Sequence, residues 1–327
     1  LRAEQAKQRE GGRYLGVGFA TYVELTGVGS AIPVSPGMSL TAGTEAATVR
    51  VDPTGTVTAI FGLACHGQGH ETSLAQVVAE ELGVPIETVR VIHGDTGASP
   101  FGSGTYASRS AVLGGGAAIL ASRALREKIL QIAVHQLEVG MEDLSLDAGR
   151  VSIRGVPDRA LSLREIAQAA YTGTKRLPKG MEPGLEATRF YDPYFGTASN
   201  ATHAAVVEVD PESCRIRVVR YVVVEDCGRI INPLIVEGQA VGGVAQGIGA
   251  ALLEELVYDA DGQLLTGSLM DYLPPTAAEV PSIDVLHLDT HSPSTLGGFK
   301  GVGEGGTIGA PAAIANAVAD ALAAFGV

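Results

Sequence analysis

Six of the ten residues in 297–306 are glycine, and they surround a single carboxylate, Glu304, in the stretch GGFKGVGEGGTIGAPAAIANAVADALAA (297–324). Glycine has no side chain to bury and loses the most backbone entropy on ordering, so such a run cannot fill a core. It lets a backbone approach something closely. Pro311 suits the first turn of a helix, and residues 312–324 carry the small-residue periodicity of a buried one. Glu304 is therefore expected on a loop anchored by that helix, near backbone N–H groups that can hold an anion. This stretch alone leaves open a glycine-rich surface turn with a solvated Glu.

A second constraint is a repeated order of elements. From Glu45 the chain reads ATVRVD, a turn at 53–55, TVTAIFGLA, a glycine-bearing turn at 65–69, and a helix through Glu81. From Thr202 it reads HAAVVEVD, a turn at 211–213, CRIRVVRYVVVED, a turn at 227–233, and a helix over 236–255. Alternating strands around a Pro/Gly turn read as a hairpin. Each helix carries a Gly-Gln pair near its start, Gly67-Gln68 and Gly238-Gln239. The repeat predicts an α+β fold of two similarly built lobes, each a β-hairpin or sheet packed with helices. At 327 residues, two lobes also suit the length. The division predicted is a connecting segment over 1–44 that completes a preceding domain, a first lobe over 45–190, and a second lobe over 191–327 that carries the Glu304 loop.

The remaining segments fit around this plan. Residues 2–10 read as the tail of a helix that stops at Gly11-Gly12, and 16–24 as a strand, followed by a loose Gly/Ser/Pro stretch to Gly37. Residues 85–93 read as a short helix–strand piece, 94–110 as a polar glycine loop, and 111–137 as a long helix. Gly114, Gly115 and Gly116 near its start imply that something packs against it closely. Ser162 with Glu165 is a capping box. Residues 177–195 are expected to be an irregular crossover between lobes, and 283–289 a strand.

Composition excludes several classes. The net charge of −13 argues against a nucleic-acid partner, and 5% aromatic residues without Trp argue against base stacking. No run of about 18 apolar residues lacks Gly or charge, so no membrane span is expected. Cys65, Cys214 and Cys227 form no Cys-x-x-Cys pair, which suits a reducing cytoplasm and codes no local iron–sulfur or structural zinc site. The chain starts at Leu1 with no charged-then-apolar leader, as a piece of a longer polypeptide would.

His66 and His70 stand four apart beside Glu71, but Gly67 and Gly69 make this a turn and the His-Glu-x-x-His order of a zinc helix is absent. A glutamine between glycines ahead of a helix suits hydrogen bonding to a polar cofactor group, with amides as further donors. The loop GSGTYASRS (102–110) has the hydroxyls, glycines and cation of a phosphate cradle without a Walker or Gly-x-Gly-x-x-Gly fingerprint. A serine-rich connection capping a helix remains open there. Four glycine turns at helix starts, at 67–70, 102–110, 238–243 and 301–306, together suggest one extended polar ligand with Glu304 at its reactive end.

Four stretches, GQGHETSLAQVVAEELG, GSGTYASRS, CGRIINPLIVEGQAVGGVAQGIGAALLEE and GGFKGVGEGGTIGAPAAIANAVADAL, resemble the large molybdenum subunits of the xanthine dehydrogenase and aldehyde oxidase family. They are most similar to its carbon monoxide dehydrogenase large-chain-like branch. The resemblance spans the chain but only the C-terminal portion of such a subunit, so an N-terminal half with the Gly-Gly-x-Phe-Gly cofactor motif is expected elsewhere. It implies the molybdopterin-binding fold of molybdenum hydroxylases and a molybdopterin cofactor, in many members the cytosine dinucleotide form. Molybdenum would be held through the pterin and not by protein ligands.

By the same resemblance Glu304 is the base that takes a proton from a molybdenum-bound hydroxyl in a dry loop, while hydride passes to a sulfido ligand. The substrate would be an aldehyde, an N-heterocycle or a related small molecule, or carbon monoxide, with water as the oxygen source. The cofactor would be held by Gly67, Gln68, Gly69, His70, Gly104, Thr105, Ala107, Ser108, Arg109, Ser110, Asn232, Gln239, Lys300, Gly301, Val302 and Gly303. The partners implied are the N-terminal half of the molybdenum subunit, a 2Fe-2S subunit and an FAD subunit, in a hetero-oligomer. A non-catalytic cofactor-binding or assembly module is the alternative.

Overall fold

The computed structural model describes residues 2–33, 37, 43–99 and 101–326. The loose stretch expected up to Gly37 lies partly outside the described residues. In chain order the elements are α1 (Arg2–Glu10), β1 (Tyr14–Thr26), β2 (Glu45–Val51), β3 (Val57–Phe61), α2 (His70–Leu82), β4 (Val89–Ile92), α3 (Gly115–Leu137), β5 (Leu144–Asp147), β6 (Arg150–Ile153) and β7 (Val156–Ser162). They continue with α4 (Leu163–Tyr171), β8 (Glu186–Tyr191), β9 (Thr197–Val209), β10 (Ile216–Asp226), α5 (Pro233–Leu252), β11 (Ile283–Leu288), α6 (Gly305–Ile308) and α7 (Ala310–Leu322).

These elements form two compact units, one of Leu1–Leu25, Ala198–His291 and Lys300–Val327, the other of Thr26–Thr197 and Ser292–Phe299. Their four-stranded sheets run in the orders β1-β9-β10-β11 and β4-β3-β2-β8. The repeat holds in topology. In each, an antiparallel hairpin (β9 with β10, β2 with β3) is followed by a helix that returns the chain parallel to the hairpin's second strand (β11 on β10, β4 on β3). A glycine-bearing loop and a further helix follow, α7 in one and α3 in the other. Two details differ. Gly67-Gln68 precedes α2, whereas Gly238-Gln239 lies inside α5, and the strand beside the hairpin's first strand comes earlier in sequence in one unit (β1) and later in the other (β8).

The expected divisions at residues 44 and 190 differ from these units. Residues 2–25 belong with the β9–β10 hairpin because β1 completes its sheet, and because Asp320 of α7 accepts hydrogen bonds from Gln5 Nε2 (2.7 Å) and from the Val17 amide (2.9 Å). Nor is 177–195 irregular throughout. Its residues 186–191 form β8, which covers the otherwise open edge of the apolar strand β2, with Thr188 Oγ1 2.7 Å from Thr48 Oγ1. The three-stranded sheet β5-β6-β7 was not read from the sequence, although Ala148 and Gly149, both at positive φ, supply its first hairpin turn.

In the unit built on β9 and β10, Val207, Tyr221 and Val223 of the sheet pack with Val244 and Ile248 of α5 and Ile314 of α7. Each such burial is worth about 1.5–3 kcal/mol for Val or Ile. The stretch Gly305–Phe325 is apolar enough to cross a membrane by length and composition, but the Ala313, Ala317 and Ala321 face of α7 forms part of this core. Gly18 of β1 makes that fit possible, since a Cβ there would lie 2.1 Å from Ala313 O. In the other unit α3 packs on α2, β2 and β8, and the close contact expected at its glycines is with Tyr191, whose ring would be 2.2 Å from a Cβ on Gly116. The capping box of Ser162 and Glu165 starts α4 as expected.

Candidate functional site

The Glu304 loop is fixed from below by charge and from the side by backbone. Lys300 Nζ pairs with Asp226 Oδ2 at 3.0 Å, and its amide donates to Cys227 O at the same distance, so the loop is tied to the end of β10. Burial alone would raise the Asp226 carboxyl, but the Gly228 amide at 2.9 Å and Lys300 outweigh it and hold the group below its ordinary value. Lys300, expected to bind cofactor, is thus occupied with a buried partner. Gly301 is buried, Val302 half-buried, and Gly303 and Glu304 are exposed. The expected dry setting for Glu304 is not present in this chain, where its side chain stands on the surface immediately before α6.

The glycines after Glu304 answer to close approach. A Cβ on Gly306 would sit 2.5 Å from Ala240 O and 2.9 Å from Gly243 Cα, both backbone atoms of α5, and one on Gly305 would sit 2.5 Å from Tyr22 Oη. Gly306→Ala is accordingly expected to cost about 1–3 kcal/mol, because two helix backbones must separate. Thermal unfolding checks this, and an unchanged midpoint would mean that α6 is not seated on α5 as described.

Beneath Gly305 the core face of the sheet turns polar. Glu225 follows Tyr221 and Val223 on that face, with Ala201 and His287 opposite it on β9 and β11. It is 2% exposed, and neither carboxylate oxygen has a hydrogen-bond partner. Desolvation pushes its carboxyl up to about 7. His203, next along β9, bonds Tyr221 Oη through Nδ1 at 2.8 Å, and burial lowers its imidazole to about 4. Sequence reasoning missed Glu225, yet a signal existed: a carboxylate in register with core residues breaks the alternation.

The other expected ligand loops, 67–70 and 104–110, lie together in the second unit. Gly104 donates to Gly62 O (3.2 Å) and Thr105 Oγ1 accepts from the Ala64 amide (3.4 Å), which joins the 102–110 loop to the strand end that leads into 67–70. Gly67 and Gly69 have φ of 112° and 68°, and α2 starts at His70, so backbone amides converge there. His70 Nδ1 is buried without a partner, and desolvation holds the imidazole below its ordinary value. Gln68 folds back on His66, accepting from its amide. Ala107 and Ser108 both take φ of 48°, a left-handed conformation that persists in non-glycine residues only where the surroundings enforce it. Thr105 and Ser110 hydroxyls lie 3.0 Å apart. A cleft of about 530 Å³ adjoins the start of the 102–110 loop, lined by residues 61–64, 94–96, 99 and 101–104.

Arg109 departs from expectation. It is 1% exposed, and its guanidinium binds Glu45 Oε2 (2.7 Å), Gly104 O (2.7 Å) and Thr44 O (2.9 Å), so it shapes the loop from inside. Asn232 also has a structural task, capping α5 by accepting from the Ile235 amide at 3.3 Å, and Gln239 lies half-buried in the second turn of that helix. Cys65, Glu71 and His93 place donor atoms within 4.8 Å of one another. Their hydrogen bonds already satisfy them, His93 Nε2 meeting Glu71 at 2.7 Å and Nδ1 accepting from the Cys65 amide, so the cluster reads as a lock on the turn.

Each of the two α+β units carries a glycine loop ahead of a buried helix. This chain belongs to the molybdopterin cofactor-binding domain family, whose model matches residues 1–281. It is 44% identical over 322 residues to the nicotine 6-hydroxylase large subunit of Paenarthrobacter nicotinovorans, covering 98% of this chain and 39% of that one. It is 39% identical over 330 residues to the carbon monoxide dehydrogenase large chain of Hydrogenophaga pseudoflava, covering 100% of this chain and 40% of that one. Among solved structures, quinoline 2-oxidoreductase from Pseudomonas putida 86 superposes with a TM-score of 0.92 at 47% identity, over 100% of this chain and 41% of the other. The chain thus spans about two-fifths of the length of these relatives.

Proposed function

We propose that this chain is the C-terminal portion of the molybdenum-bearing subunit of a hydroxylase that oxidises an aldehyde, an N-heterocycle or a related small substrate, or carbon monoxide, with water as the oxygen source. The observation that carries the reading is Glu304, a carboxylate exposed at the tip of a loop that is pinned by Lys300 and by the α6–α5 backbone contact. The residues around 67–70 fit a molybdopterin. His70 Nδ1 has no partner, and a Cβ at Gly67 would meet nothing within 4 Å, so a cofactor edge has both a polar atom and space. Gly67, Gln68, Gly69, His70 and the amides and hydroxyls of 104–110 would hold the pterin and its phosphate, in a cytosine dinucleotide form. Bound there, the cofactor would supply the two-electron redox chemistry.

The chain's own contribution is proton handling and positioning. Glu304 would accept the proton released as the water-derived oxygen bonds to the substrate carbon, and its backbone anchors fix the position from which the carboxylate does so. The N-terminal half of the subunit, a 2Fe-2S chain and an FAD chain complete the assembly. A hetero-oligomer accords with the relatives named as a large chain and as subunit gamma of a 6-hydroxypseudooxynicotine dehydrogenase complex, and three free cysteines suit a reducing cytoplasm.

Metal analysis of the chain co-purified with its partner chains tests the assignment, and a fully assembled complex without molybdenum would overturn it. Gln68→Ala is expected to lower molybdenum content several-fold while the melting temperature stays within about 1 °C, because Gln68 bonds only inside its own turn among the described residues. Full occupancy in that variant would remove Gln68 from the cofactor site.

A further inference from the structure

Glu225 is the one carboxylate among the described residues that is buried with both oxygens lacking a hydrogen-bond partner, and it lies directly under the loop that presents Glu304. A Cβ built on Gly305 would be 3.8 Å from Glu225 Oε2, so the residue after Glu304 covers that carboxyl. The groups around it are mostly acidic or neutral, with His287 of β11 the one base within ion-pair reach and His203 of β9 on the same sheet face. Tyr22 comes from β1, with Glu24 acting on it from the same strand, and Asp226 and Cys227 adjoin along the chain. Lys300 is bound to Asp226. His287 Nδ1 of β11 stands 3.3 Å from Oε1, but neither atom forms a hydrogen bond.

We propose that Glu225 is a positioning residue that gates the Glu304 loop by its charge: uncharged, it lets α6 seat over the sheet, and ionised, it expels that cover. An isolated buried carboxylate is relieved most cheaply by letting water in, and here the layer that must lift is 301–308. The neutral form is the one that burial favours, with the carboxyl pushed up to about 7. The sign follows. Between the ordinary carboxylate range and about pH 7 the folded chain binds more protons than the unfolded one, so stability declines as pH rises through that window and levels off above it. The catalytic meaning of the gate rests on the reading of Glu304 as the base.

The test compares wild type, Glu225→Gln and Glu225→Met in the assembled, cofactor-loaded complex. Hydrogen exchange of residues 300–309, corrected for intrinsic pH dependence, is expected to lose about tenfold protection between about pH 6 and pH 8 in wild type, one unit past the midpoint being tenfold in population. Both neutral variants should hold their protection. In wild type kcat/KM should fall over the same interval, and in Glu225→Gln it should not. A merely structural role would lower activity in parallel at every pH. Equal pH dependence of exchange in wild type and both variants would overturn the proposal. Full turnover in Glu304→Gln would overturn instead the catalytic reading, and the exchange comparison distinguishes the two failures because it does not depend on turnover.

Discussion

Glu304→Gln is expected to reduce turnover by about 10² to 10⁴ while molybdenum content stays near normal. The amide keeps the shape of the carboxylate and most of its hydrogen bonding but cannot accept a proton. Lys300 paired with Asp226 and the close fit of Gly306 on α5 anchor the loop, and both are left in place by the substitution. Were Glu304 an ordinary surface residue, the substitution would alter stability by less than about 0.5 kcal/mol and leave activity intact. Lys300→Gln provides the contrast. Its ammonium is 10% exposed and paired with a carboxylate that is 5% exposed, so its loss strands Asp226 and disturbs the whole loop. A reductive half-reaction with substrate in excess, read beside thermal unfolding, separates the variants: a slow chemical step on a stable fold for Glu304→Gln, and a destabilised fold for Lys300→Gln. Comparable small effects from both would end the assignment of Glu304 as base.

Arg109→Ala should cost about 3–5 kcal/mol, enough to unfold much of the chain at ordinary temperature. The guanidinium is enclosed, and its partner Glu45 is 0% exposed, so truncation leaves a carboxylate in the core and frees two carbonyls, Gly104 O and Thr44 O. Burial pushes the Glu45 carboxyl above its ordinary value even with Arg109 bound, which indicates that desolvation is not fully repaid by the pair. Replacing both partners, as Glu45→Gln with Arg109→Met, should therefore recover most of the loss. Denaturant unfolding of the two single variants and the double variant tests this. A stable Arg109→Ala chain that merely loses molybdenum would instead restore Arg109 as a direct cofactor ligand.

The two roles of Arg109 show where sequence reading stops. An arginine in a Ser/Gly loop before a helix has the same local pattern whether it faces a phosphate or a buried glutamate 64 residues away in sequence, because ion-pair partners are chosen by tertiary packing. Asn232 and Lys300 divide in the same way: one proved a helix cap and the other an internal tether. The strand β8 was hidden by its Pro- and Gly-rich flanks, and its reason for existing is the exposed edge of β2, which is invisible until the sheet is assembled.

What the sequence determined by itself was everything encoded at short range or in motif order. Alternation fixed the two hairpins, the capping box placed α4, Pro311 opened α7, and the glycine turns marked the loops that carry Gln68 and Glu304. Their order also carried the family resemblance. Only the tertiary structure decided which glycines are steric necessities, that β1 joins the sheet of β9 and β10, and that Glu225 lies without a hydrogen-bond partner beneath Gly305. Those facts depend on contacts between residues up to about three hundred positions apart, as between Val17 and Asp320, and no local pattern of side chains encodes such a distance.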